Sequence, residues 1–138
     1  MNRILLRVGG WANALFVAFH VWLGYQIHTS PGIAAANRPL MEMLNAGGVL
    51  FILLFAISSL CHAEEMLGTK LGRLILLFVF LLYGSRAIEE IVIAPQFSPA
   101  IFVVCALLAG LYLFLFFNAN KSAEVKTATA RRGPERAQ

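Results

Sequence analysis

The sequence has little charge. Aspartate, glutamate, lysine and arginine together make up 13% of its 138 residues, whereas hydrophobic residues make up 59%, and the mean hydropathy is +0.76. A soluble domain of this composition would leave large apolar patches facing water. The composition therefore excludes an ordinary soluble protein and predicts that a lipid bilayer is the solvent.

The motifs that identify common catalytic sites from spacing are also missing. The sequence contains no internal repeat, no glycine-rich phosphate loop, no HExxH and no GxSxG. Its two cysteines, Cys61 and Cys105, do not form a CxxC pair. We expect them at opposite depths of the membrane, well beyond the Cα separation of about 4.4 to 6.8 Å that a disulfide allows, so both are interpreted as small core residues.

Four apolar stretches are present, each close to the roughly 20 residues with which an α-helix crosses a bilayer. They occupy about 8–27, 40–60, 74–93 and 100–117 and are separated by short segments that contain proline or glycine. Lipid offers no hydrogen bonds, so each crossing must satisfy its own backbone, and short connections favour antiparallel hairpins. The sequence therefore predicts an all-α integral membrane bundle of four transmembrane helices within residues 1–118.

The distribution of lysine and arginine predicts the orientation, because cytoplasmic flanks retain these residues. Only Arg38 falls in a loop that would lie outside if the N-terminus is cytoplasmic. The basic residues that would lie inside are Arg3, Arg7, Lys70, Arg73, Lys121, Lys126, Arg131, Arg132 and Arg136. We predict that both the N-terminus and the C-terminus are cytoplasmic, and we expect the bilayer to be the bacterial plasma (inner) membrane.

The formal net charge of +4 does not indicate a nucleic-acid partner. Five of the basic residues lie in the polar segment 119–138, which has too little apolar content to fold on its own. We predict that this segment is a disordered basic cytoplasmic tail. Such a tail is attracted to anionic lipid headgroups at the inner face of the membrane, so the bilayer is the partner that the charge favours.

Polar residues on three helices are predicted to share one depth in the outer half of the membrane. His20 and Arg86 each lie thirteen residues beyond a basic residue that can anchor at the inner interface, Arg7 and Arg73, which places both roughly 20 Å into the membrane. Asn45 reaches a similar depth from the outside. Polar groups within a membrane span usually face the bundle interior and often mark function.

Two carboxylates and a phenol accompany Arg86 on the third crossing. Glu89 and Glu90 follow Arg86 by three and four residues, so both can reach its guanidinium on a helix. Tyr83 precedes Arg86 by three residues and shares its face. The predicted site is therefore an outer-leaflet polar pocket or ion-pair cluster lined by six residues. They are His20, Asn45, Tyr83, Arg86, Glu89 and Glu90.

Several functions fit these residues. The first hypothesis is a small polar or amphipathic ligand, such as an ion, a lipid headgroup or a quinone; the second is a non-catalytic accessory or assembly subunit of a larger membrane complex, or a homo-oligomer. The third is a membrane enzyme that uses His20 as acid or base, with Glu90 polarising or orienting it. The sequence leaves the cofactor unknown. No protein-bound metal is predicted, because His20 and His28 lie two helical turns apart.

Overall fold

A computed structural model describes the backbone of residues 1–94 and 97–132 and the side chains through residue 119. Helices account for almost all of these residues, and no strand occurs among them. The helices are α1 (Asn2–Thr29), α2 (Arg38–Cys61), α3 (Ala63–Gly68), α4 (Lys70–Val92) and α5 (Pro99–Arg132). The predicted all-α membrane bundle is confirmed: α1, α2, α4 and the first part of α5 are long and apolar enough to cross a bilayer.

Local sequence explains where the helices begin. Pro39 occupies the first turn of α2, where its missing backbone donor has no helical partner to lose. Thr69 caps α4, because its hydroxyl accepts a hydrogen bond of 2.9 Å from the backbone N–H of Gly72. At the start of α2, the Arg38 guanidinium donates to the carbonyl of Ser30 at 3.0 Å and so ties the connection to the end of α1.

The four crossing helices pack as two antiparallel hairpins. Helix α1 lies against α2, helix α4 lies against α5, and the hairpins meet where α1 contacts α5 and where α3 touches all four long helices. The shared core contains Leu6, Leu76, Val79, Cys105 and Leu115, all with no exposed surface. At most 28% of each crossing segment is buried within the chain, so most of its apolar surface faces outward, where lipid would cover it.

The short helix α3 lies in the charged segment between the second and third crossing helices. Glu64 and Glu65 are exposed, with side chains 73% and 71% accessible. Met66 is nevertheless buried at 2% accessibility and packs into the shared core. The hydrophobic side chain on one face of a single helical turn is what folds this loop against the bundle.

Helix α5 is longer than predicted. The sequence placed its end near residue 117 and a disordered tail at 119–138, whereas the helix continues to Arg132. Nine of the 15 residues in 118–132 are alanine, lysine, arginine or glutamate, all strong helix formers, so intrinsic propensity favours the extension. The predicted disorder stays a prediction for residues 133–138, which lie outside the described part of the chain.

Gly72 provides a test of the packing between α3 and α4. A Cβ atom added to Gly72 would overlap the backbone of Glu65 and Met66, and backbone cannot move aside as a flexible side chain can. We expect Gly72→Ala to lower the free energy of unfolding by about 1 to 3 kcal/mol, the usual cost of overpacking. Unfolding in mixed detergent micelles measures it.

Gly110 is the matched control, because a Cβ atom added there meets nothing within 4 Å. Gly110→Ala should leave stability unchanged or raise it slightly through helix propensity. Equal stability of the two variants would contradict the close approach of α3 to α4.

Candidate functional site

A buried hydrogen-bond network centred on Asn13 connects the two hairpins. Asn13 has no exposed surface; its amide donates to the carbonyl of Gly9 at 2.9 Å and to the hydroxyl of Tyr112 at 2.6 Å. The hydroxyl of Tyr83 donates to the Asn13 carbonyl oxygen. The Tyr112 hydroxyl in turn lies 3.2 Å from that of Ser59. One asparagine on α1 thereby joins α4 and α5 directly and α2 through Tyr112.

Small residues let these helices approach. A Cβ atom added to Gly9 would lie 2.7 Å from the Tyr112 hydroxyl, and one added to Gly10 would lie 2.8 Å from Leu60. The sequence contains a signal for this contact, because a buried amide in a membrane span requires partners. It could not identify them, since Tyr112 is 99 residues away along the chain and stands among apolar residues in the crossing part of α5.

The ion-pair cluster lies at the end of α4. Arg86 approaches Glu90 at 2.9 Å and Glu89 at 3.9 Å, as the predicted spacing of four and three residues requires. The two carboxylates differ in environment: the Glu90 side chain is 3% exposed, Glu89 is 51% exposed, and Arg86 is 43% exposed. Glu90 also accepts a 2.8 Å hydrogen bond from the backbone N–H of Ser98, just before α5.

His20 and Asn45 form a second contact, between α1 and α2. The Asn45 amide donates to the backbone carbonyl of His20 at 2.9 Å, and His20 Nδ1 lies 3.2 Å from the carbonyl of Phe16. Gly48 leaves space beside the imidazole, since an added Cβ atom would lie 3.6 Å from it. Asn45 Oδ1 is buried, and no hydrogen-bond partner for it occurs among the described residues.

The six predicted site residues therefore fall into three groups. His20 is joined to Asn45, and Arg86 is joined to Glu89 and Glu90, whereas Tyr83 gives its hydroxyl to the Asn13 network. Phe16 lies between two of these groups, with its ring centroid 6.3 Å from that of His20 and 5.5 Å from that of Tyr83. That the six line one pocket stays a prediction.

Comparisons with protein-family models, with curated proteins and with solved structures found no match. The residues of this chain alone therefore carry the functional inference. In residues 1–94 and 97–119, no three histidine, cysteine, aspartate or glutamate side chains are placed to hold a metal ion. What the described site offers is a half-exposed guanidinium, an imidazole and a buried amide oxygen.

Two tyrosines test the role of the Asn13 network. Tyr83→Phe removes the donor to the Asn13 carbonyl oxygen and leaves that buried acceptor without its partner. We expect the free energy of unfolding to fall by roughly 0.6 to 2 kcal/mol, the range for interhelical hydrogen bonds in membranes and for unsatisfied polar groups. Tyr25→Phe is the control, since Tyr25 is 65% exposed. An equal effect of both substitutions would contradict a stabilising network.

Proposed function

We propose that the protein binds a small polar or amphipathic ligand at the polar layer of His20, Asn45 and Arg86, with Glu90 holding Arg86, Glu89 at the exposed edge and Tyr83 packed beside the layer. The observation that supports this proposal is the unequal exposure of the two partners of the ion pair. The Glu90 side chain is 3% exposed, whereas the Arg86 side chain is 43% exposed. In a membrane span an accessible guanidinium lacks bulk water, so its free donors favour a partner with acceptor oxygens. Here the carboxylate is covered and the guanidinium stays accessible.

The anchoring of Glu90 supports this proposal. Its carboxylate is fixed by Arg86 at 2.9 Å and by the Ser98 N–H at 2.8 Å, so it orients the guanidinium from one side. A guanidinium has five N–H donors, and Glu90 occupies only one edge. In lipid the remaining donors lack water, so a ligand that presents acceptor oxygens would pair with them.

The charge of the cluster narrows the class of ligand. With Arg86, Glu89 and Glu90 ionised the cluster has a net charge of −1, which disfavours a free anion. Three classes of ligand fit this charge better. They are a neutral molecule with carbonyl oxygens, such as a quinone, a zwitterionic headgroup and a cation. His20 adds selectivity for a ligand that has a hydrogen-bond donor. When the neutral ring donates its Nδ1–H to the Phe16 carbonyl, Nε2 is left as an acceptor.

Ligand analysis of the purified protein tests the proposal. The full-length protein in mild detergent is examined by metal analysis, absorption spectroscopy and mass spectrometry of extracted lipids and quinones. We expect one ligand in a fixed ratio to protein, and we expect Glu90→Gln to lower its occupancy about tenfold, since a charge-assisted hydrogen bond contributes roughly 1.5 to 3 kcal/mol.

Glu89→Gln is the matched control, because it removes the same charge at the neighbouring residue. The Glu89 side chain is half exposed and lies 3.9 Å from Arg86. It should retain most of the ligand. Equal occupancy in Glu89→Gln and Glu90→Gln protein of equal stability would overturn the proposal. A wild-type protein with no ligand would favour the accessory-subunit hypothesis, and partner identification would follow.

The orientation of the bundle is part of the same proposal, since it places the polar layer nearer the outer face. Arg3 and Arg7 begin α1 at the end where Lys70 begins α4, and this end is assigned to the cytoplasm of a bacterial plasma membrane. A reporter fused after Gln138 should be cytoplasmic, and one inserted near Ala35 should be external. The reverse labelling would contradict the orientation and leave the fold intact.

A further inference from the structure

A cavity of about 330 Å³ lies at the opposite end of the bundle from Arg86, where α1 begins and α2 passes into α3. Arg3 and Arg7 line one side, and residues 60–65 line the other. The volume is near the lower end of the roughly 300 to 1,000 Å³ typical of small-molecule sites. It is large enough for the headgroup of a lipid and too small for a whole lipid.

Side chains of both charges surround this cavity, with arginines on one wall and glutamates on the other. Arg3 and Arg7 are four residues apart on α1 and so share a face. Opposite them, Glu64 lies 2.9 Å from Arg3, and Glu65 lies 2.8 Å from His62. Among side chains in 1–94 and 97–119, no ion pair includes Arg7. The cavity therefore offers two guanidinium groups on one wall and two carboxylates on the other.

The membrane side of the cavity is bordered by apolar helix surface. Gly10 brings α1 close to α2, since an added Cβ atom would lie 2.8 Å from Leu60. Beside the arginines, Ile4 and Val8 are 69% and 56% exposed on the outer surface of α1. A headgroup in the cavity would thus have apolar helix surface next to it, along which acyl chains can lie.

We propose that this cavity binds a headgroup that carries both a phosphate and a primary ammonium, that is, a phosphoethanolamine group. Guanidinium groups pair with phosphate oxygens through two parallel hydrogen bonds. The N–H donors of a primary ammonium match the carboxylates of Glu64 and Glu65. The phosphoethanolamine group occurs in a phospholipid and as a free soluble molecule, and both sources share this chemistry.

Native mass spectrometry of the full-length protein in detergent tests the inference. The probes are dioleoyl phosphatidylethanolamine, phosphatidylcholine and phosphatidylglycerol, and free phosphoethanolamine. We expect phosphatidylethanolamine to bind about tenfold more tightly than the other two lipids, because choline has no N–H donor and glycerol brings no positive charge to the carboxylates. Weak binding of free phosphoethanolamine identifies the phospholipid as the source, and binding as tight as the lipid's identifies the soluble molecule.

Charge-matched variants locate the binding. Arg7→Gln should weaken phosphatidylethanolamine binding about tenfold, by loss of one charge-assisted contact. Lys70→Gln removes the same charge at the same end, outside the cavity, and should leave binding unchanged. The double variant Glu64→Gln with Glu65→Gln should lose the preference over phosphatidylglycerol.

Two results would overturn the inference: equal binding of phosphatidylethanolamine and phosphatidylcholine by the wild type, or equal effects of Arg7→Gln and Lys70→Gln. Glu90→Gln separates this site from the polar layer at the other end. That variant should bind phosphatidylethanolamine at this cavity as the wild type does, so the two proposals succeed or fail independently.

Discussion

The hydrogen bonds of Asn13 are the interaction on which the rest of the structure depends. In lipid no water competes for the amide, so its partners have to come from neighbouring helices. Tyr83 and Tyr112 supply them from α4 and α5, and the phenol ring of Tyr83 packs against Phe16. Dispersion between apolar helices has little directionality, whereas this network selects one arrangement of the two hairpins.

The position of this network explains why the two ends of the bundle differ. Toward the start of α1, the helices are drawn together by Asn13, by Gly9 and Gly10, and by the covering helix α3. Toward the end of α1, this helix makes a polar contact with α2, in which the Asn45 amide donates to the His20 carbonyl. The accessible guanidinium of Arg86 lies at that second end, where close packing does not cover it.

Much of the fold and part of the site could be predicted from the sequence. Length and hydropathy define a crossing helix, and spacing within one helix brings Arg86 to Glu89 and Glu90, because helical geometry depends only on position. Contacts between helices depend on how each helix is rotated, which periodicity leaves open. The sequence therefore placed Tyr83 with Arg86, whereas the Tyr83 hydroxyl reaches Asn13. Nothing in the sequence indicated that Tyr112 and Ser59 would join this network. Met66 was missed because one buried side chain in a charged turn carries no periodic signal.

The adjacent glycines of α1 fix the rotation of that helix about its axis. Gly9 faces Tyr112 on α5, and Gly10 faces Leu60 on α2, so two consecutive positions about 100° apart are each in contact with a different neighbour. Turning α1 by one position would bring Trp11 to the place of Gly10 against α2. The bundle thus excludes this rotation of its first helix, because the largest side chain would take the place of a glycine.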